Sequence, residues 1–261
     1  MKRVFSIIVL STALILPLTL FSSAQLDESY EAHGGLETFQ KYGGLEYDQQ
    51  MVISGVINVS DNQVFDLKSR KALITSDKYT VGFDGNEAWI TPNVQALGIP
   101  PRFYALTPFY FFGLPFLFAD PGVNIESLGT KELNGTQYNV IKVTYDPGIG
   151  DTPDDDYVVY LDKDTNQIKL VHYIVTYPPL MQGKSVDELE RHAAVYEEWQ
   201  EVGGLVVPKK LSFYEWSDDQ LGDSARGYMT FEDVTFSVQT PDPKIFEMPD
   251  GAVVDNSHKA Q

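Results

Sequence analysis

The stretch Phe103–Phe118, FYALTPFYFFGLPFLF, constrains this chain more than any other. It holds eight aromatic rings, Phe103, Tyr104, Phe109, Tyr110, Phe111, Phe112, Phe116 and Phe118, and no charge. Fully burying one such side chain is worth roughly 1.5–3 kcal/mol. Eight together give a gross term of about 10–20 kcal/mol, as large as the ~5–15 kcal/mol net stability of a typical domain. Such a face must be covered by the protein's own sheet, by a bilayer or by an apolar ligand. Pro108, Gly113 and Pro115 interrupt it, and it falls short of the ~20 apolar residues a membrane-spanning helix needs. Two short helices or an irregular hairpin are expected, closed by the turn Asp120-Pro121-Gly122.

The start of the chain reads as a secretory leader rather than as fold. Lys2 and Arg3 precede the apolar run Val4–Phe21, and Ser22-Ser23-Ala24 supplies small residues for cleavage near Ala24. The expected divisions are a signal peptide over 1–24, one domain over 25–254 and a disordered tail over 255–261. No cysteine is present. That excludes a disulfide framework, thiolate metal sites, thiol catalysis and a lipid-anchored cysteine, and it points to a released, exported protein. The formal charge of −18 becomes −20 without residues 1–24. So acidic a surface repels nucleic acid and anionic headgroups, so neither nucleic-acid binding nor stable membrane insertion is expected.

Beyond Leu45 the pattern is β. Strands are expected over 45–59, 63–75, 78–84, 87–91, 123–133, 137–145, 156–162, 167–177, 191–202, 205–216 and 225–238. Asp84-Gly85, Asn134-Gly135 and Gly203-Gly204 supply hairpin turns, with further polar turns at Ser60-Asp61-Asn62 and Asp162–Asn166. Before them, Leu26–Tyr42 is a helix candidate that His33-Gly34-Gly35 breaks. Several strands are apolar on both faces: Ile168, Leu170 and Ile174 oppose Val171, Tyr173 and Val175. A sheet greasy on both faces needs cover on both. The fold class is therefore mainly β (α+β), a strongly curved antiparallel sheet wrapping a filling element. The N-terminal helix and the aromatic block are the available fillers.

Three stretches together resemble the LolA/LolB-like superfamily of bacterial envelope proteins. They are Phe83–Pro92 (FDGNEAWITP), Tyr160–Ile168 (YLDKDTNQI) with Trp199–Pro208, and the tail Phe231–Phe236 followed by Pro243–Phe246 and Pro249-Asp250-Gly251. Tyr30–Leu36 resembles a Bacteroidetes-type branch of such proteins. The resemblance implies an unclosed antiparallel β-barrel with helices plugging its concave side. It also implies a Gram-negative periplasmic location and a cavity for acyl chains under a mobile lid. Lipoprotein carriers latch that lid with an arginine, for which Arg70 and Arg102 are both candidates.

On that basis the expected function is a soluble periplasmic carrier of lipid or another long apolar ligand, possible partners being a lipoprotein or another envelope protein. Phe109, Tyr110, Phe111, Phe112, Phe116 and Phe118 would form the lid, with Trp89 and His172 near the cavity. The alternatives are ordinary core for the block, and a sensor or protein-interaction module whose cavity is filled internally. No catalytic residue, cofactor or metal site is expected. G-x-S-x-G, a glycine-rich phosphate loop and H-x-x-x-H spacing are all absent. Asp162–Asn166 begins like a calcium loop, but Gln167 and Tyr173 stand where glycine and glutamate belong. The acidic turn Asp151–Asp156 is either a weak calcium site or a solvated turn.

Overall fold

The computed structural model describes residues 18–259; most of the expected leader lies outside them. Helix α1 (Leu18–Ala32) and the short α2 (Leu36–Gln40) come first. Five strands follow: β1 (Gly44–Ile53), β2 (Ile57–Asp66), β3 (Ala72–Thr75), β4 (Thr80–Phe83) and β5 (Ala88–Thr91). The aromatic block supplies α3 (Pro101–Gly113) and a 3-10 turn over Phe116–Ala119. The second half holds β6 (Val123–Leu133), β7 (Thr136–Tyr145), β8 (Tyr157–Asp162) and β9 (Ile168–Tyr173). After the short helix α4 (Pro178–Met181) come β10 (Arg191–Val202), β11 (Leu205–Ser217), β12 (Gln220–Leu221), β13 (Gly227–Ser237) and β14 (Val253–Val254).

All fourteen strands join one antiparallel sheet in the order β14-β5-β4-β3-β2-β1-β13-β11-β10-β9-β8-β7-β6, with β12 added to β11. Two hairpin meanders, β1–β5 and β6–β11, are stitched together by β13, which pairs with β1 on one side and β11 on the other. The outermost strands, β14 and β6, do not pair with each other, so the curved sheet is an unclosed barrel. One large core lies on the concave side around α3, and a smaller one on the convex side around Tyr160, Leu170 and Trp216. The two-faced strands require both. On β9, Val171 and Tyr173 join the concave core while Leu170 and His172 face the convex side.

Local chemistry explains the hairpins. Asn134-Gly135 and Gly203-Gly204 both adopt positive φ (52° and 79°, 61° and 80°), the conformation of tight two-residue turns. The expected turn at Ser60-Asp61-Asn62 is a strand instead. These residues lie inside β2, and the chain turns at Ser54-Gly55-Val56. Asp61 takes an inward position between Val59 and Gln63, where tyrosine hydroxyls satisfy its carboxylate. The expected long strand 63–75 is likewise two strands, divided by a turn in which Asp66 accepts from Lys68 N, Ser69 N and Ser69 Oγ.

The break after α1 docks the helices onto the sheet. His33 Nδ1 donates to the Val206 carbonyl (3.0 Å), and its Nε2 accepts from Ile168 N (3.2 Å). A Cβ on Gly34 would sit 2.1 Å from the Gly204 carbonyl oxygen. Only glycine admits that approach, and its φ of +97° demands glycine as well.

Candidate functional site

The aromatic block forms two helical pieces, as expected: α3, which runs unbroken through Pro108, and a 3-10 helix over Phe116–Ala119. Pro101 occupies the first turn, where its missing N–H costs nothing. Pro108 forgoes one helix hydrogen bond, worth ~3 kcal/mol with its steric cost, but the ring burial that the helix organises is larger. Tyr104, Ala105, Pro108, Phe109 and Phe112 are buried against the sheet. Phe109 stacks on Phe65 (4.7 Å), and Phe112 packs against Tyr47 and Phe231 (4.9 and 5.0 Å). Phe116 stacks on Phe39 at 4.6 Å, and Phe118 is buried too.

Polar fastenings hold this plug along its whole length. Tyr104 donates to the buried Asp61 carboxylate at 2.6 Å, as does Tyr79, while Gln63 Nε2 donates at 2.8 Å. Burial raises the Asp61 pKa, and these three donors oppose the rise. Tyr196 donates to the Phe111 carbonyl at 2.8 Å. Arg102 makes a two-armed pair with Asp151 (2.5 and 2.8 Å), and Asp255 accepts from the Arg102 backbone N–H. Beyond the far end, Arg70 pairs with Asp120 (2.7 and 2.8 Å) and lies over the Phe109 ring. Thus Arg70 and Arg102 are both clasps, one near each end of the block.

The other face of α3 borders open space. Phe103, Leu106, Thr107, Tyr110 and Phe111, spaced i, i+3, i+4, i+7, i+8, form one wall of a cavity of about 640 Å3. Opposite stand Tyr157 from β8, Tyr173 and Val175 from and after β9, His192 from β10 and Phe213 from β11. Met51 and Ile53 of β1 close one end; Tyr145 and the turn residues Ile149–Thr152 and Asp155 close the other. The aromatic rings are contiguous: Tyr110–Tyr157 4.9 Å, Tyr157–Tyr173 5.7 Å and Phe111–Tyr173 5.1 Å between centroids. The Tyr110 and Tyr145 hydroxyls bond to each other.

The site residues expected from sequence divide sharply. Tyr110 and Phe111 line the cavity, whereas Phe109, Phe112, Phe116 and Phe118 are core of the plug. Trp89 is not near the cavity. It points to the face opposite Ala88 and Ile90, packs on Gly82 and donates to the Phe246 carbonyl (3.3 Å), locking the tail segment Pro243–Phe246 to the sheet. His172 is not near it either. It lies on the convex side, stacked on Trp216 at 4.2 Å and accepting from Arg191 Nε. Burial and the adjacent Arg191 push its pKa down to about 3. The histidine at the cavity is His192, whose pKa burial also lowers.

The acidic turn is committed to protein contacts. Asp151 holds Arg102, and Asp156 pairs with Lys142 and Arg191. Asp155, its pKa raised by burial, accepts from Thr176 N, Thr176 Oγ1 and Thr152 Oγ1 at 2.6–2.8 Å. Among the described residues no three metal-ligating side chains converge. The expected disordered tail differs as well. Asp255 is buried and accepts from Arg102 N, and residues 257–259 form a 3-10 turn.

This is an open antiparallel barrel plugged by an aromatic helix, and its fold is LolA-like. The structure of a LolA superfamily protein from Nitrosomonas europaea superposes with a TM-score of 0.53 at 11% identity, covering 87% of this chain and 97% of the other. A DUF1329 family protein from Desulfovibrio piger is similar over the same shares at 12% identity and a TM-score of 0.49. Residues 102–178, from α3 through β9, match the model of a family of unknown function, DUF6503. No curated protein matches the chain in sequence. Among the described residues no helix is long and apolar enough to cross a membrane.

Proposed function

We propose that this protein is an exported, periplasmic binding protein that carries lipid or another long apolar ligand in the cavity between α3 and strands β8–β11, without covalent chemistry. One observation carries the reading. Although the plug buries six of its eight rings, about 640 Å3 stays open beside it, walled mainly by aromatic and aliphatic side chains. That volume lies within the ~300–1,000 Å3 of small-molecule sites. An acyl chain entering it gains ~0.8 kcal/mol per buried methylene. The LolA-like fold supports the same reading.

Because a clasp stands near each end of the aromatic block, α3 acts as a fixed wall. The turn 146–156 and the loop 175–190 flank the opening, and ligand enters past them. Native mass spectrometry of gently purified protein is the test. An apolar species is expected to co-purify. Thr107→Trp, which projects an indole into the cavity from α3, is expected to lose it while the far-UV circular dichroism is unchanged. A ligand-free wild type that also takes up no added fatty alcohol would overturn the proposal.

A further inference from the structure

The charge and ring pattern of the cavity specifies the polar end of its ligand; this rests on the carrier reading above. Four carboxylates line the space: Asp151, Asp155, Glu190 and Glu215. Among the described residues Arg226 is the only lysine or arginine lining it, and it is paired with Glu215. His192 is held towards its neutral form by burial. Asp151 is held by Arg102 and Glu215 by Arg226, so a carboxylate or phosphate brought here would meet Asp155 and Glu190 and no uncommitted cation among the described residues, and its desolvation would go uncompensated.

The rings supply the complementary attraction. Tyr157 has Tyr145 edge-on at 6.1 Å and Tyr173 stacked at 5.7 Å, and their faces carry the negative side of the aromatic quadrupole. Asp155 sits close enough that, after burial, its charge further raises the pKa of Tyr157 and Tyr173. Tyr173 is 8% exposed and lines the cavity. The aromatic wall thus offers electron-rich rings beside a carboxylate, which together favour positive charge.

We infer that the cavity takes an amphiphile whose polar end is a protonated amine or quaternary ammonium, seated against Tyr145, Tyr157 and Tyr173 beside Asp155, and that it rejects carboxylate-headed chains of equal length. The source is either a zwitterionic lipid headgroup or a simple lipophilic amine, which share that cation.

The test titrates lipid-stripped full-length protein with dodecyltrimethylammonium and dodecanoate, each below its micelle concentration, and with 1-dodecanol below its solubility limit, by calorimetry at pH 7.5. The ammonium is expected to bind about tenfold or more tighter than dodecanoate, with the alcohol between them. Equal or tighter binding of dodecanoate overturns the inference while leaving the carrier reading intact. Failure of all three, the neutral alcohol included, overturns both. Dodecylphosphocholine separates the sources. Affinity near that of the simple ammonium supports a zwitterionic headgroup, and affinity near that of dodecanoate supports a simple amine. Asp155→Asn removes the buried charge but disturbs the turn it organises, so the exposed rim supplies a second variant. Glu215→Gln leaves Arg226 without its partner, and the ammonium-to-dodecanoate preference is expected to shrink several-fold. A preference unchanged in both variants overturns the electrostatic basis.

Discussion

Acidification should loosen the docking of the N-terminal helices, and His33 sets how far. Its ring is fully buried, with Nδ1–H donating to the Val206 carbonyl and Nε2 accepting from Ile168 N–H. Only the neutral imidazole fits, because protonated Nε2 would face the Ile168 N–H donor to donor. Burial lowers its pKa from 6.5 to about 4, partly opposed by the Val206 bond. The unfolded chain therefore binds this proton where the folded chain does not. Stability is full above pH 6.5, falls as pH drops through the window from 6.5 to 4, and levels off below it. A shift from 6.5 to about 4 corresponds to about 3 kcal/mol in total, of which about 2 kcal/mol is lost by pH 5. The buried His172 and the half-buried His192 act in the same direction, so the wild-type profile alone does not isolate His33. His33→Gln keeps one donor and one acceptor but does not titrate. Urea denaturation of both proteins between pH 7.5 and 4 is the assay. The stability difference between them should narrow by about 3 kcal/mol over that range. Parallel profiles would refute the reasoning.

Gly34→Ala should destabilise the fold by more than the ~1 kcal/mol of an ordinary glycine substitution, because its Cβ meets the Gly204 carbonyl; thermal melting checks this. Tyr104→Phe removes one of three donors to the buried Asp61 and should cost about 1–3 kcal/mol, read by urea denaturation at pH 7. Arg102→Ala should raise amide exchange in the turn 146–156 and at the start of α3, with the opposite end of the block unaffected; exchange mass spectrometry distinguishes the two ends.

Most of the fold was legible because strand boundaries here are written in local chemistry. Asn134-Gly135, Gly203-Gly204 and Asp84-Gly85 each close a hairpin where their φ preferences predict. The failures came where tertiary partners override local propensity. Ser60-Asp61-Asn62 has the composition of a turn, and only Tyr79 and Tyr104, distant in sequence, make Asp61 tolerable inside a strand. Pro108 reads as a helix breaker, yet ring burial keeps α3 continuous. The spacing of Phe103, Leu106, Thr107, Tyr110 and Phe111 was the available signal for the cavity face of that helix. For the strands no such signal existed. Alternation separates the two faces of β9 but does not say which is concave, so His172 was expected at the cavity that His192, on β10, in fact borders.

The most direct measurement is a crystal structure of protein purified without detergent. Elongated density between Phe111, Tyr173 and Phe213, with the aromatic block still clasped near both ends, is the expected result. Ordered water throughout that space, or α3 swung away from Asp61 to open it, would contradict a preformed apolar cavity beside a fixed plug.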